Sequence, residues 1–259
     1  MSDLFVNLVS LNKCGYIVAP GEDMCSFLRR IDELKQEAPD TLTFVPLMLQ
    51  KKFDINPDYV RIIYSDDGIG VWEGACTWIM NNEVSIQLRK SLQSKSHLFW
   101  IYSKDELIAH EMVHVVRSHF REPEFEEILA YETAAGWFRR FFGPIFRSSG
   151  EAYLSVLLIS IGSVLTVFHP YSGLLCILGS AAFFLGRLIK SRFIFSRAKK
   201  KIRAIFNINP DFILLRLTDC EIRMVAFASK EEIIDYIDKE KIMNLRWRQI
   251  CLSYLLTDA

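Results

Sequence analysis

Hydrophobic positions recur along this chain with two different periods, and the changes of period mark out its elements. Met24, Phe27, Leu28, Ile31 and Leu34 return every three or four residues, which predicts a helix with one apolar face, set to pack on the sheet that follows. Tyr59 to Ser65 and Val71 to Met80 are strand candidates, separated by the turn Asp66-Asp67-Gly68 and closed by Asn81-Asn82. Val84, Ile86 and Leu88 then alternate with Ser85, Gln87 and Arg89, a half-buried strand directly before the next helical stretch. There the helical period returns with Ile108, Met112, Val115 and Val116, and Ser103 to Glu106 reads as the capping box that starts it. A further helix opens with Pro123 in its first turn, its apolar stripe running through Ile128, Tyr131, Ala134, Ala135, Phe138, Phe141 and Phe142.

A different pattern follows. From Ala152 to Gly186 there is no Asp, Glu, Lys or Arg, and the stretch divides at His169-Pro170-Tyr171-Ser172-Gly173 into two apolar halves. Each half is about 16 residues, roughly 25 Å as a helix, which predicts a transmembrane hairpin extended by its flanking Ser, Tyr and Phe residues. Gly162, Ser163, Gly179, Ser180 and Ala181 would let the two backbones approach closely. Basic residues lie on both outer flanks, Arg139, Arg140 and Arg147 before and Arg187, Lys190, Arg192 and others after, while the turn has neither Lys nor Arg. Both ends should therefore lie in the cytoplasm. Residues 190–206 mix that charge with Phe193, Ile194, Phe195, Ile202, Ile205 and Phe206, as in a helix lying on an anionic membrane surface. After Pro210 the tail reads as helical, with capping boxes at Thr218/Glu221 and Ser229/Glu232 and a final helix from Leu245 to Leu256. It is expected to pack against the domain that precedes the hairpin.

The resulting class is α+β. With 259 residues the chain has room for one medium domain, the hairpin and a small tail, and not for a second enzyme. Its formal net charge is zero, so the basicity is local, and no nucleic-acid-binding motif accompanies it. Asn7 and Asn12 interrupt the apolar start, which argues against a cleaved signal peptide. Six scattered cysteines without paired spacing suit free thiols in a reducing compartment.

Candidate chemistry centres on His110-Glu111-Met112-Val113-His114. Residues four apart on a helix differ by about 40° around its axis, so two imidazoles can address one ion, with the Glu111 carboxylate beside it. A catalytic zinc takes three protein ligands and leaves one position for water. Only five histidines are present, and His119 points about 140° to 180° away from the pair, while His97 precedes the helix and His169 lies in an apolar region. A carboxylate is thus the expected third ligand. Glu127, at the head of the apolar stripe, is the first candidate and Glu126 the second, with Glu124 and Glu132 expected at the surface.

On these residues the chain resembles the zincin metallopeptidases, in their gluzincin branch, where two histidines of one helix and a glutamate of the next hold the metal. The resemblance covers about residues 59 to 138, plus the presence of a hairpin, loosely as in the membrane metallopeptidases of the heat-shock and CAAX-protease type. It implies a zincin-like domain over 1–148, the membrane hairpin over 149–189 and a helical region over 190–259. It also implies one catalytic Zn2+ on His110, His114 and Glu127, with Glu111 as general base toward a peptide or protein substrate. Tyr131 stands where the family's Glu-x-x-Ala-Asp motif has its aspartate, and its hydroxyl is a further catalytic candidate. The strand over 84–88 would be the sheet edge to which an extended peptide adds. One departure is plain: Glu127 lies thirteen positions beyond His114 and ahead of the hairpin, whereas in those membrane families a hairpin commonly separates the two. Two other readings remain: a non-catalytic membrane scaffold with a relict or structural metal fold, and a hydrolase acting on something other than peptides.

Overall fold

The computed structural model describes residues 2–36, 44–70, 73–80, 83–98 and 102–255. The chain is mixed α and β and mostly helical. Three helices, α1 (Ser2–Lys13), α2 (Met24–Gln36) and α3 (Leu47–Phe53), precede a three-stranded sheet of β1 (Arg61–Tyr64), β2 (Ala75–Met80) and β3 (Glu83–Leu88). A two-stranded ladder, β4 (His97–Leu98) with β5 (Tyr102–Ser103), leads into α4 (Lys104–Arg117), α5 (Pro123–Tyr131) and α6 (Trp137–Phe142). The long helices α7 (Ser149–Phe168) and α8 (Pro170–Phe206) follow, then α9 (Pro210–Leu214), α10 (Asp219–Phe227), α11 (Lys230–Met243) and α12 (Leu245–Ile250), which ends in a π turn over Cys251–Leu255.

Sheet order is β1-β3-β2, with β1 parallel and β2 antiparallel to β3. The strand expected at the edge is therefore the central one. Val84, Ile86 and Leu88 are buried, as a strand covered by a helix on one face requires, and Gln87 on the other face is buried as well. Gln87 accepts from Trp78 Nε1 and donates to the carbonyls of Ser65 and Asp67, which pins the loop after β1. The edge that borders α4 is β2, whose Thr77 pairs with Ile86 in register.

Ser103 Oγ accepts from the Glu106 N–H and starts α4, but Glu106 does not reach back to complete a box. Its buried carboxylate accepts instead from the backbone N–H of Ala135 and from Arg139. This explains a second departure, since the stripe from Pro123 to Phe142 does not form one helix. Thr133 Oγ1 bonds the Ala130 carbonyl and Arg140 takes that of Ala134, while Glu106 holds Ala135; the chain turns out of α5 and restarts at Trp137. Phe138 and Phe141 consequently lie exposed on α6.

Glu124 and Glu132, expected at the surface, are buried. Glu124 pairs with Arg223 and Arg147, and Glu132 meets Lys199 at 2.8 Å, Lys52 at 3.0 Å and Arg192 at 3.2 Å. Lys52 and Lys199 also contact Asp211, so a buried ion network ties the end of α5 to α3, α8 and α9. Several partners per charge is what allows such groups to leave water.

The tail joins the same core. Both of its capping boxes form, at Thr218 and Ser229. Fully buried Arg117 at the end of α4 donates to the carbonyls of Leu215 and Leu217, and Asn12 of α1 bonds Ser253, Tyr254 and Arg216. Residues 190–206 are not a separate surface helix. They are the second half of α8, and Ile194, Phe195, Ala198 and Ile202 are buried in the core with α10, while Phe193 stays exposed.

The first half of α8 and all of α7 are different. These two helices are long and apolar enough to cross a membrane, and only 11% and 22% of their most apolar windows are buried. Gly162 and Gly173 permit their close approach, since a Cβ on Gly173 would lie 2.3 Å from the Thr166 backbone nitrogen and 2.5 Å from the Gly162 carbonyl. Gly179 has no such neighbour and Ser163 is exposed, so the contact uses Gly173 where Gly179 was expected.

Candidate metal centre

Mid-helix on α4, His110 and His114 project from the face opposite Ile108, Met112, Val115 and Val116, which are buried against the core. Their Nε2 atoms are 3.2 Å apart. Helix α5 crosses beside them and brings the Glu127 carboxylate to 3.5 Å from His114 Nε2 and 3.7 Å from His110 Nε2. Metal-to-donor arms of about 2.05 Å at tetrahedral angles place donor atoms about 3.3 Å apart; the imidazole pair is at that spacing, and the two Glu127 oxygens, one facing each ring, are a few tenths of an ångström beyond it. Among the described residues these three are the one group of His, Cys, Asp and Glu whose donor atoms converge in this way.

Glu126 sits elsewhere. Its Oε1 is 2.8 Å from Nδ1 of His114, on the side of the ring facing away from the trio, so it orients the imidazole and does not complete the ligand set. On His110 the backbone of Ala130 favours the protonated ring, against the effect of burial. The Glu126 contact fixes the His114 ring, and the two Nε2 atoms face each other.

Glu111, the residue between them, is buried and turned toward β2, where Thr77 Oγ1 donates to its Oε2 at 2.8 Å. The Tyr131 ring stands edge-on to His110, with centroids 4.7 Å apart. Gly143 makes room for it, because a Cβ there would fall 2.2 Å from Tyr131 ring atoms. His119 lies at the end of the α4 segment against Ser118, His97 is exposed on β4 and His169 caps the hairpin turn, so none of these approaches the centre.

The local electrostatics favour a cation. Burial pushes the Glu127 carboxyl up, and Glu111 and Glu126 add to it against the pull of His114, leaving it at about 7. Burial likewise raises Glu111. His114 resists burial because Glu126, Glu127 and Glu111 surround it, and it rises to about 9, whereas burial, His114 and Arg139 hold His110 well below its ordinary value. Burial, followed by Glu127, raises the Tyr131 phenol. The half-buried cluster of His110, His114 and Glu127 is a donor set that a divalent ion could satisfy.

The centre opens into a cleft of about 370 Å³. One wall is the outer edge of β2 from Gly74 to Thr77, another is Tyr102 and Arg139, and Ser149 and Ala152 at the foot of α7 close the far end. Sequence reasoning missed Thr77, the Ala130 backbone and Gly143. No spacing marks a strand threonine as facing a glutamate 34 positions later. Comparison with protein-family models, curated proteins and solved structures gave no match.

Proposed function

We propose that this protein is a membrane-anchored zinc metallopeptidase of the gluzincin type, cleaving peptide bonds at the cytosolic face. The observation that carries this reading is the near-tetrahedral spacing of His110 Nε2, His114 Nε2 and the Glu127 carboxylate. His110, His114 and Glu127 would hold the ion, which when bound supplies Lewis acidity toward a carbonyl and lowers the pKa of a water to about 7. Glu111 takes the proton from the attacking water and returns it to the departing amine. Thr77 holds that carboxylate in place from the strand side. Tyr131, edge-on to His110 in the same cleft, would donate to the developing oxyanion.

A peptide is favoured as substrate because β2 has no partner on its outer edge among the described residues, and that edge lines the cleft. An extended chain adds there by backbone hydrogen bonds. The exposed apolar faces of α7 and α8 support insertion in a bilayer, and the basic flanks support cytoplasmic ends.

Metal analysis of the full-length protein tests the first half. Near-stoichiometric zinc that falls sharply in His110→Ala is expected, and metal-free protein from a careful preparation would sink the site. A peptide library tests the second. Glu111→Gln should keep zinc and lose cleavage, whereas zinc-loaded protein that cuts no peptide points to a scaffold, and cleavage unaffected by Glu111→Gln rejects the base.

A further inference from the structure

The metal cleft and the apolar hairpin share residues at their boundary. Ser149 and Ala152, at the foot of α7, line the cleft, and so does Phe146, whose ring meets that of Phe184 on α8 with centroids 5.1 Å apart. Ser149 Oγ donates at 2.9 Å to Oε1 of Glu73, two residues ahead of β2. The edge strand is thereby tied to the hairpin, and the cleft keeps one height relative to it. Ala152 opens the charge-free stretch and Gly186 closes it, and beside them Glu151 pairs with Arg187. Each apolar half is about 16 residues, roughly 25 Å, against about 30 Å of hydrocarbon in a bilayer. A stretch shorter than the hydrocarbon has no slack, so Ala152 lies at its edge. One end of the cleft is therefore at the hydrocarbon boundary.

The metal centre belongs to the same cleft, whose 370 Å³ is the volume of a sphere about 9 Å across. At about 3.3 Å per extended residue, the reacting bond is on the order of 3 to 5 residues from the hydrocarbon edge. That is at or just above the headgroup layer, which is about 5 to 8 Å deep. A folded soluble protein cannot bring a loop so low without its own bulk meeting the bilayer, whereas the residues next to a membrane helix are held at this height. Sharing one bilayer also raises their effective concentration. The apolar part of the lining, Leu98, Leu107, Phe146 and Ala152, suits the residues that border such a helix. We propose that the substrate is a membrane-spanning protein, cut in the segment that emerges from its transmembrane helix on the cytosolic side.

This inference rests on the peptidase reading and on α7 and α8 lying in a bilayer, and it adds the substrate class. Retention in the membrane pellet after alkaline carbonate checks the insertion, and release from it overturns the inference. For the substrate, zinc-loaded full-length protein is reconstituted in liposomes with a single-helix protein carrying a peptide cut in the library. Its scissile bond is set about 4, 15 or 40 residues from the helix end, and Glu111→Gln serves as the blank. All three substrates share one helix, so orientation and tethering are common and only height differs. At about 3.3 Å per residue the shortest tether reaches about 13 Å and no farther. It should be cut faster than the longest tether, and at least tenfold faster than the same peptide free in solution at equal overall concentration. A shortest tether cut more slowly than the longest, or no faster than the free peptide, overturns the inference and leaves the peptidase reading standing. Loss of all cleavage, the free peptide included, removes the peptidase reading and this inference with it.

Discussion

Glu126 and His114 are joined by a 2.8 Å contact from Oε1 to Nδ1, which leaves Nε2 on the opposite side of the ring facing His110 Nε2 at 3.2 Å. Neighbouring glutamates on α5 thus hold different positions, Glu127 beside both Nε2 atoms and Glu126 behind one ring. Glu126→Gln should keep a hydrogen bond to the imidazole and lose its charge, weakening zinc about 10- to 100-fold. Glu127→Gln should weaken it further. Chelator competition on the two purified variants checks the order, and equal losses would reverse or merge the two roles.

Helix α5 is positioned from the far end of the chain. Asp219 accepts from the backbone N–H groups of Glu124 at 2.8 Å and Phe125 at 3.2 Å, capping the helix that carries both glutamates. Asp219→Ala should cost about 1 to 2 kcal/mol of stability and also lower zinc affinity, although residue 219 is not among the converging donors. Ser229→Ala removes a comparable cap from α11, remote from the centre, and should lower the melting temperature while leaving the zinc titration unchanged.

Gly143→Ala would force a methyl group against the Tyr131 ring that braces His110. Overpacking of this kind costs about 1 to 3 kcal/mol, and zinc affinity should fall with it. Gly179→Ala, with open space around its Cβ, should change neither. Paired thermal melts and zinc titrations separate the two variants.

Stability should fall in acid through Glu132. Burial alone would raise its carboxyl, but Lys199 and Lys52 hold it at about 2, against 4.5 for the free group. Because the folded value is depressed, the contribution is complete above about pH 4.5 and lost as pH falls toward 2. At about 1.4 kcal/mol per unit it is on the order of 3 kcal/mol. Urea unfolding of wild type and Glu132→Gln should differ most near pH 6, with the difference shrinking below pH 4 and vanishing only below about pH 2. A difference independent of pH would rule out the ion network as its source.

Much of the fold follows from local pattern. The one-turn spacing of His110 and His114, the caps at Ser103, Thr218 and Ser229, and the uncharged stretch from Ala152 to Gly186 each act within a few residues of themselves. Glu124 and Glu132 were misread because their charges suit a helix surface, and the partners that let them be buried lie on α3, α8 and α10. The same limit hid the centre of the sheet: β3 has the alternation of an edge strand, and only the parallel pairing with β1 makes it central.

The sequence by itself determined which residues carry donor atoms, where helices begin, and that two segments are long and apolar enough to cross a membrane. Tertiary structure decided that Glu127 and not Glu126 faces both imidazole Nε2 atoms, that Thr77 meets Glu111, and that half of α8 belongs to the core. Periodicity and capping are set by bonds between near neighbours in the chain, whereas convergence of side chains depends on how elements far apart in sequence come to pack.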